Sequence, residues 1–290
     1  MTTEAFVRER SSLFGLAYRM LGSVAEAEDI LQEAFLRWQG ANHAEVNNVR
    51  AFLRKIVTRL CLDHLKSARA RREHYVGAWL PEPLIDESPA PDDLAQDLSF
   101  ALLLALERLS PLERAVFLLH DVFETDFAEI ASLLGRREAA CRQLAARARA
   151  NIRRQRPRFS VPAEQARAFA TAFDRASREG DLAVLHSLLA QDVVLYTDGG
   201  GRRAAALNPI FGRDKVCRFY LGLVRKGLTA PPLTRRFGWV NGQPGLVTLE
   251  RDGLPQAIGL EIDDSAIRAL YVIRNPEKLR HIAVGETTDG

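Results

Sequence analysis

Ser110-Pro111-Leu112-Glu113 begins a stretch whose second half reads Asp126-Phe127-Ala128-Glu129-Ile130-Ala131-Ser132-Leu133-Leu134-Gly135-Arg136-Arg137-Glu138-Ala139-Ala140-Cys141-Arg142. Ser110 as N-cap, proline at the first helical position and glutamate at the third make a capping box. Asp126 can cap a second helix, with Glu129 three residues on, and the expected inner face is Phe127, Ile130, Ala131 and Leu134. Gly135 sits where the chain needs a left-handed residue to leave that helix. A last helix follows, with Cys141, Leu144, Ala145, Ala148 and Ile152 on one face. Ala131, four residues before Gly135, is small enough for two helices to cross closely, and Cys141, six after it, plugs the angle between them. That spacing belongs to a DNA-binding helix-turn-helix. Arg136, Arg137, Glu138, Arg142, Gln143, Arg147 and Arg149 point outward, so the helix start would enter a major groove and its arginine-rich end would lie near phosphate.

Charge is segregated around this motif. From Arg136 to Arg158 there are nine arginines against Glu138 alone, and from Arg50 to Arg72 eight basic residues face only Asp63. Between them, Glu82 to Asp97 holds six acids and no base. Two basic faces joined by a negative segment point to polyanion binding, and the predominance of arginine suits bidentate contacts to phosphate and guanine.

Upstream, Ala27, Ile30, Leu31, Ala34, Phe35 and Trp38, then Leu53, Ile56, Val57, Leu60 and Cys61, recur at helical spacing, with a polar loop from Gly40 to Asn48 between them. Pro81, Pro83, Pro89 and Pro91 among acids read as an extended linker. Beyond Pro162 the pattern changes. Ala166, Phe169, Ala170, Phe173 and Ala176 form one helix face that Gly180 would end, and a short helix follows at about Leu182–Leu189. Strands are expected at Val193–Thr197, Arg235–Val240, Leu246–Arg251, Ala257–Ile262 and Ile267–Arg274, with a helix at Lys215–Arg225. Asn241-Gly242 and Asp252-Gly253 favour hairpins. Helices followed by an antiparallel meander imply an α+β domain with helices on one curved sheet.

The 290 residues, 47% hydrophobic and 27% charged, exclude wholesale disorder and suggest about two domains. No apolar run reaches the ~20 residues of a membrane span. The start, MTTEAFVRERSS, resembles no signal or transit peptide, and three scattered cysteines argue against a disulfide framework. The expectation is a cytoplasmic protein with no membrane contact.

Two further stretches carry a family resemblance. Ala25-Glu26-Ala27-Glu28-Asp29-Ile30-Leu31-Gln32-Glu33-Ala34-Phe35-Leu36-Arg37-Trp38 resembles the core-binding helix of bacterial sigma factors, and Asn48 to Arg72 resembles the promoter-melting helix after it. With the helix-turn-helix, residues 6–154 are similar to an extracytoplasmic-function (ECF) sigma factor over their whole length. Trp79-Leu80-Pro81-Glu82-Pro83, Asp198-Gly199-Gly200-Gly201 and Asn275-Pro276-Glu277-Lys278-Leu279 resemble the three signatures of the ECF subfamily with a fused SnoaL-like domain of cone-shaped, NTF2-like fold. Glu277 stands where aspartate is usual, and Arg202 where lysine is expected.

The resemblance implies sigma domain 2 over 1–76, an acidic linker over 77–97, sigma domain 4 over 98–157 and a SnoaL-like regulatory domain over 158–290. It implies that Asp29, Gln32, Glu33 and Arg37 meet a coiled coil of RNA polymerase core. Arg54, Lys55, Arg59, Lys66 and Arg69 would hold the separated promoter strand, with Asn42, Asn47 and Asn48 in the base-pocketing loop. The partners are then core polymerase and promoter DNA, with a small ligand in the cone as a further partner, and no cofactor or metal. The linker either imitates RNA in an exit channel or is a self-repelling spacer. Trp79 either docks in a pocket of the C-terminal domain or packs on its own helical domain.

The alternative is a ligand-responsive DNA-binding regulator that works without polymerase, for which Asp29–Trp38 would be superfluous. Enzymatic chemistry in the cone would have Asp192, Asp198, His186, Tyr196 and Trp239 as candidates, but no spacing pairs an acid with a base, and fold analogy alone does not carry function. Cys61 and His64 share a helix face without a second pair to complete a metal site.

Overall fold

The computed structural model describes residues 2–72, 75–86, 98–153, 161–263 and 266–282. Three helices lead: α1 (Thr2–Leu21), α2 (Val24–Gln39) and α3 (Val49–Arg72). Ser23 caps α2 by accepting from the Glu26 amide at 3.1 Å. Ala27, Ile30, Leu31, Ala34 and Trp38 of α2 are buried, together with Leu13, Leu16 and Tyr18 of α1 and Leu53, Val57 and Cys61 of α3. The helical periodicity of the sequence is therefore the packing face.

The second helical block holds α4 (Phe100–Glu107), α5 (Pro111–Phe117) running on into a π-helical turn at Leu118–Val122, α6 (Phe127–Leu134) and α7 (Glu138–Arg153). Ser110 Oγ accepts from the Glu113 amide while the Glu113 carboxylate accepts from the Ser110 amide, the reciprocal box expected there. Asp126 accepts from the Glu129 amide at 2.7 Å, and Gly135 leaves α6 at φ +64°. Cys141, Ala145, Ala148 and Ile152 are buried. The inner face of α6 differs from expectation by one position: Ile130, Ala131 and Leu133 are buried, while Leu134 is half-buried. Phe127, also expected on that face, is half-buried and stacks on His120 with ring centroids 3.9 Å apart.

These two helical blocks, read in the sequence as separate domains, form one compact unit made of Met1–His74 and Asp92–Arg156. Buried Arg114 of α5 helps to join them, donating to the Met20 carbonyl at 2.5 Å and pairing with Glu107 at 3.0 Å.

The second unit contains Tyr75–Pro91 and Pro157–Gly290. After α8 (Ala163–Glu179) and α9 (Leu182–Leu188) come β2 (Leu189–Asp198), β3 (Ile210–Phe211) and α10 (Arg213–Arg225). Then β4 (Thr234–Val240), β5 (Gln243–Leu249), β6 (Pro255–Ile262) and β7 (Ile267–Ile273) form the antiparallel meander, and a 3-10 turn at Pro276–Leu279 follows. The first long strand departs from the meander: β2 pairs with β7 in parallel, because the chain crosses over through α10 before the meander begins. Ala170, Phe173, Val216, Cys217 and Tyr220 pack on Leu195, Leu246, Ile258, Leu260 and Leu270, so the helices cover one face of the sheet. This is the cone-shaped, SnoaL/NTF2-like α+β architecture.

The acidic segment is only partly a spacer. Residues 75–86 belong to the C-terminal unit, and β1 (Ile85–Asp86) adds an edge strand by pairing antiparallel with Val240 and Trp239 of β4. The sheet order is therefore β1-β4-β5-β6-β7-β2-β3. Residues 87–97 lie outside the described residues.

Candidate functional site

The densest polar constellation forms where β2 and β7 end side by side. The Asp198 side chain is fully buried. Its Oδ1 accepts from the Tyr75 hydroxyl at 2.5 Å, and its Oδ2 accepts from the Leu80 amide at 2.9 Å and from Lys278 Nζ at 2.7 Å. Lys278 also donates to the Leu80 carbonyl and lies over the rings of Trp79 (4.3 Å) and Tyr75 (4.8 Å). Asn275 donates from Nδ2 to the Tyr75 hydroxyl at 2.9 Å, and the backbone amides of Arg274 and Asn275 both donate to the Asp198 carbonyl. One buried carboxylate thus holds one strand of the linker and the 3-10 turn together. Burial, then the hydrogen bond to Asp198 and its charge, push the Tyr75 hydroxyl well above the ordinary tyrosine value, so it stays a donor.

The glycine run gives this constellation its closeness. Gly200 has φ +57°, and a Cβ there would stand 2.2 Å from Asn275 Nδ2 and 3.0 Å from the Tyr75 hydroxyl oxygen. No other residue fits without displacing both. Further along, Pro81 and Pro83 are buried and Glu82 is half-buried. His281 bonds the Pro83 carbonyl at 2.8 Å, and Asn241 exchanges hydrogen bonds with the Leu84 amide and carbonyl. Arg202, at the position expected to be lysine, pairs with Glu277 at 3.0 Å on the surface. Leu279 is buried, and Pro276 is half-buried.

In the helical unit, Asp29, Gln32 and Arg37 are exposed and Glu33 half-buried along one face of α2, where Glu33 pairs with Arg37 at 2.9 Å. Leu36 (55% exposed) and Val7 (60%) are large apolar side chains left in solvent. Asn48 caps α3 through the Ala51 amide, Asn42 caps the turn at His43–Glu45, and Asn47 is exposed. Arg54 is engaged by the helix-turn-helix region: it donates to the Phe123 carbonyl at 3.0 Å and to Thr125 at 3.4 Å, and lies over the Phe123 ring. Burial, then Arg50, lowers its pKa from the ordinary arginine value. Arg59 donates to the Leu133 carbonyl at 3.4 Å, Lys66 pairs with Asp63, and Lys55 is half-buried. The Arg69 side chain lies outside the described residues.

Arg136 and Arg137, in the turn before α7, and Gln143 and Arg147 on it are exposed. Arg142 pairs with Glu138 and lies over Phe127. Arg149 differs from its neighbours: it is tied to Asp121 of the π-helical turn at 2.6 Å, which anchors α7.

The enzyme candidates occupy separate surroundings. Asp192 pairs with Arg268, His186 faces Asp214 at 3.6 Å, Tyr196 stacks on Tyr271, and Trp239 is buried in β4. Cys61 is buried, and His64 bonds Glu26 at 3.0 Å. No described helix is long and apolar enough to cross a membrane. Tyr75, Asn241 and His281 were missed in the sequence. An aromatic residue four positions before Trp79 was the available signal for Tyr75. Asn241 is legible only as a turn residue, and nothing marks His281.

Residues 5–71 match the family described as Sigma-70 region 2, and residues 99–152 match Sigma-70, region 4. The chain is 40% identical to the ECF RNA polymerase sigma factor SigJ of Mycobacterium tuberculosis, over 96% of this chain and 93% of that protein. It is 34% identical to the "Probable ECF RNA polymerase sigma factor SigI" of the same organism, over 95% and 93%. The crystal structure of M. tuberculosis SigJ superposes with a TM-score of 0.75 at 36% identity, covering 96% of this chain and 98% of that one. A helix-turn-helix, a polar α2 face and a C-terminal cone thus stand in a chain similar to these proteins from end to end, and the chain belongs to the ECF RNA polymerase sigma factor family.

Proposed function

We propose that the chain directs RNA polymerase to promoters and that its C-terminal domain regulates this activity from within the same polypeptide. Sigma factors bind core polymerase and promoter DNA. In this reading the Asp29, Gln32, Glu33 and Arg37 face of α2 meets core. Asn47, Asn48, Arg54, Lys55, Arg59, Lys66 and Arg69 hold the opened promoter. Arg136, Arg137, Glu138, Arg142, Gln143 and Arg147 meet the upstream element, with Arg149 bracing their helix. Region 2, matched at 5–71, makes a polymerase-independent regulator the weaker reading.

The observation that carries the regulatory role is the buried Asp198 carboxylate, which grips Tyr75, Leu80 and Lys278. The linker between the two helical blocks is thereby tethered at its first half to the C-terminal domain. Arg54 and Arg59, meanwhile, are engaged by the helix-turn-helix region instead of being free for DNA. Both features favour a resting form that core polymerase must open through contacts available only in the open state.

Transcription with purified core tests the proposal. Removing the tail from Asn275 onward, or replacing Lys278 by methionine, should raise initiation, and ending the chain near Phe159 should change it strongly. If all three chains transcribed like the full-length protein, the domain would not be a regulator.

A further inference from the structure

A cavity of about 240 Å³ opens between the helices and the sheet of the C-terminal cone. Its walls are mostly apolar: Phe173, Phe219, Tyr220, Leu223, Ile258 and Val272. Its charged groups are unevenly matched. Both wall carboxylates are ion-paired: Asp174 with Arg178 (2.9 Å) and Arg235 (2.7 Å), its buried Oδ2 receiving no hydrogen bond, and Glu250 with Arg178 (2.8 Å), which also accepts from the Thr248 hydroxyl (2.6 Å). Neighbouring Arg203 is taken by Asp252. Arg274 has no carboxylate partner among the described residues. It donates only from Nη1 to the Ala204 carbonyl, and its buried Nε has no hydrogen-bond partner. Lys226 also lines the cavity and makes no ion pair among the described residues.

Tyr220 adds a donor. Its side chain is 8% exposed, and burial, then the charge of Asp174, hold its hydroxyl above the ordinary tyrosine value, so it stays protonated. A desolvated guanidinium with an unused donor is costly unless an acceptor completes it. Each carboxylate is held by arginine, which makes it a poor proton acceptor and favours binding over catalysis. An apolar chamber with a few convergent polar groups is the usual form of a small-molecule site.

The position of the cavity matters as much as its chemistry. Thr197 and Arg274 line it; Asp198 follows Thr197 as the last residue of β2, and Asn275 follows Arg274 just past the end of β7. Alternate side chains of a strand face opposite ways, so a molecule seated on Thr197 presses from one face on a strand end whose next residue, Asp198, grips the linker from the other, and the Arg274 amide is itself bonded to the Asp198 carbonyl. The loop that closes the cavity, Ala204–Ala206, is held by Arg274 and by Thr197, whose hydroxyl accepts from the Ala206 amide at 2.7 Å.

We propose that this cavity binds a small organic acid with an apolar body of one or two rings, its carboxylate held by Arg274 and Tyr220, and that occupancy alters the grip of Asp198 on the linker. The second part rests on the regulatory reading above; the binding itself does not.

Calorimetric titration of the full chain with 2-naphthoate, its neutral counterpart 2-naphthamide and octanoate tests the site. The acids should bind, naphthoate at least tenfold more tightly than the amide, and Arg274→Met should erase that preference while leaving amide binding unchanged. Ala205→Trp, which fills the chamber, should abolish both. Absence of acid binding at millimolar concentration, equal binding of acid and amide, or an indifferent Arg274→Met would overturn the site. Saturating naphthoate should also change amide hydrogen exchange across residues 75–86 several-fold, and by reciprocity Lys278→Met should shift the naphthoate Kd. Binding that leaves both unchanged would overturn the coupling alone. The truncation series decides the regulatory reading separately.

Discussion

Replacing Lys278 by methionine removes the cation from a pair whose carboxylate is fully buried and whose lysine side chain is 8% exposed. Methionine keeps the length and apolar bulk of the lysine stem, so the cavity term is small. Asp198 is left with two neutral donors, the Tyr75 hydroxyl and the Leu80 amide. Breaking a buried pair from one side costs about 3–5 kcal/mol. At 1.4 kcal/mol per tenfold, the opening of the linker segment should become roughly a hundred- to several-thousand-fold more favourable. The Leu80 amide reports this directly, since it exchanges only when its bond to Asp198 opens, locally or by global unfolding. Mass-resolved exchange of the 75–86 peptide should accelerate by that factor in Lys278→Met. Tyr75→Phe removes one hydrogen bond to a charged group, about 1.5–3 kcal/mol, and should accelerate it less. In the double variant Lys278→Met with Asp198→Asn, no carboxylate remains to be stranded without its cation, so the combined effect should be less than the sum of the two. Unchanged exchange in Lys278→Met, strict additivity in the double variant, or equal acceleration in peptides from α1–α3 would each refute the latch.

Charge reversal of Asp29 together with Glu33 should abolish association with core polymerase on a native gel and nearly preserve the thermal transition, because Asp29 is exposed and the Glu33–Arg37 pair it breaks is a solvent-reaching one worth about 0.3–0.5 kcal/mol. Arg54→Ala should lower the urea midpoint of the helical unit by the equivalent of about 1–3 kcal/mol, having lost two hydrogen bonds and a ring contact with Phe123; an unchanged midpoint would mean that the contact is idle. Burial alone would raise the Glu250 pKa, but bonds from Arg178 and Thr248 prevail and hold it below the ordinary value of about 4.3. A depressed carboxylate contributes stability above its unfolded pKa and loses it as pH falls through the folded one. Glu250→Gln should therefore cost stability at neutral pH and flatten the acid limb of the C-terminal domain, measured by denaturant midpoints between pH 7 and 3.

Much of the fold is legible because its determinants are local. The Ser110 capping box, the Asp126 cap and the left-handed Gly135 each involve residues within a few positions, and all three appear where the sequence places them. The strands of the meander start and stop within a few residues of their expected bounds, since alternation and hairpin turns are also local. The parallel pairing of β2 with β7 is not local, and neither is the fate of the acidic segment. Tyr75 meets Asp198 across 123 positions and Asn275 across 200. Composition reads prolines and acids as a spacer because no local rule reports a carboxylate waiting that far downstream. Phe123 likewise gives no hint that it will receive Arg54.

A latch built on a buried ion pair has an asymmetry that suits a switch. Its net worth when intact is modest, because the desolvation of both charges offsets much of their attraction. When the linker lifts away, Asp198 and Lys278 regain water together, so opening as a unit is far less costly than losing either partner. Shifting a two-state population from 1:99 to 99:1 takes about 5.5 kcal/mol of differential binding. If the proposed regulation holds, the contacts core polymerase would make along the α2 face need supply only that much. An apolar latch of equal area would dock as firmly but would expose a hydrophobic patch once open. The Asp198–Lys278 pair leaves hydrated charges beside the smaller apolar area of Leu80, Pro81 and Pro83. The single variants should therefore exaggerate the strength of the latch, and the double variant, in which neither charge is stranded, should exchange more slowly than the summed single effects require and so report the net worth of the ion pair.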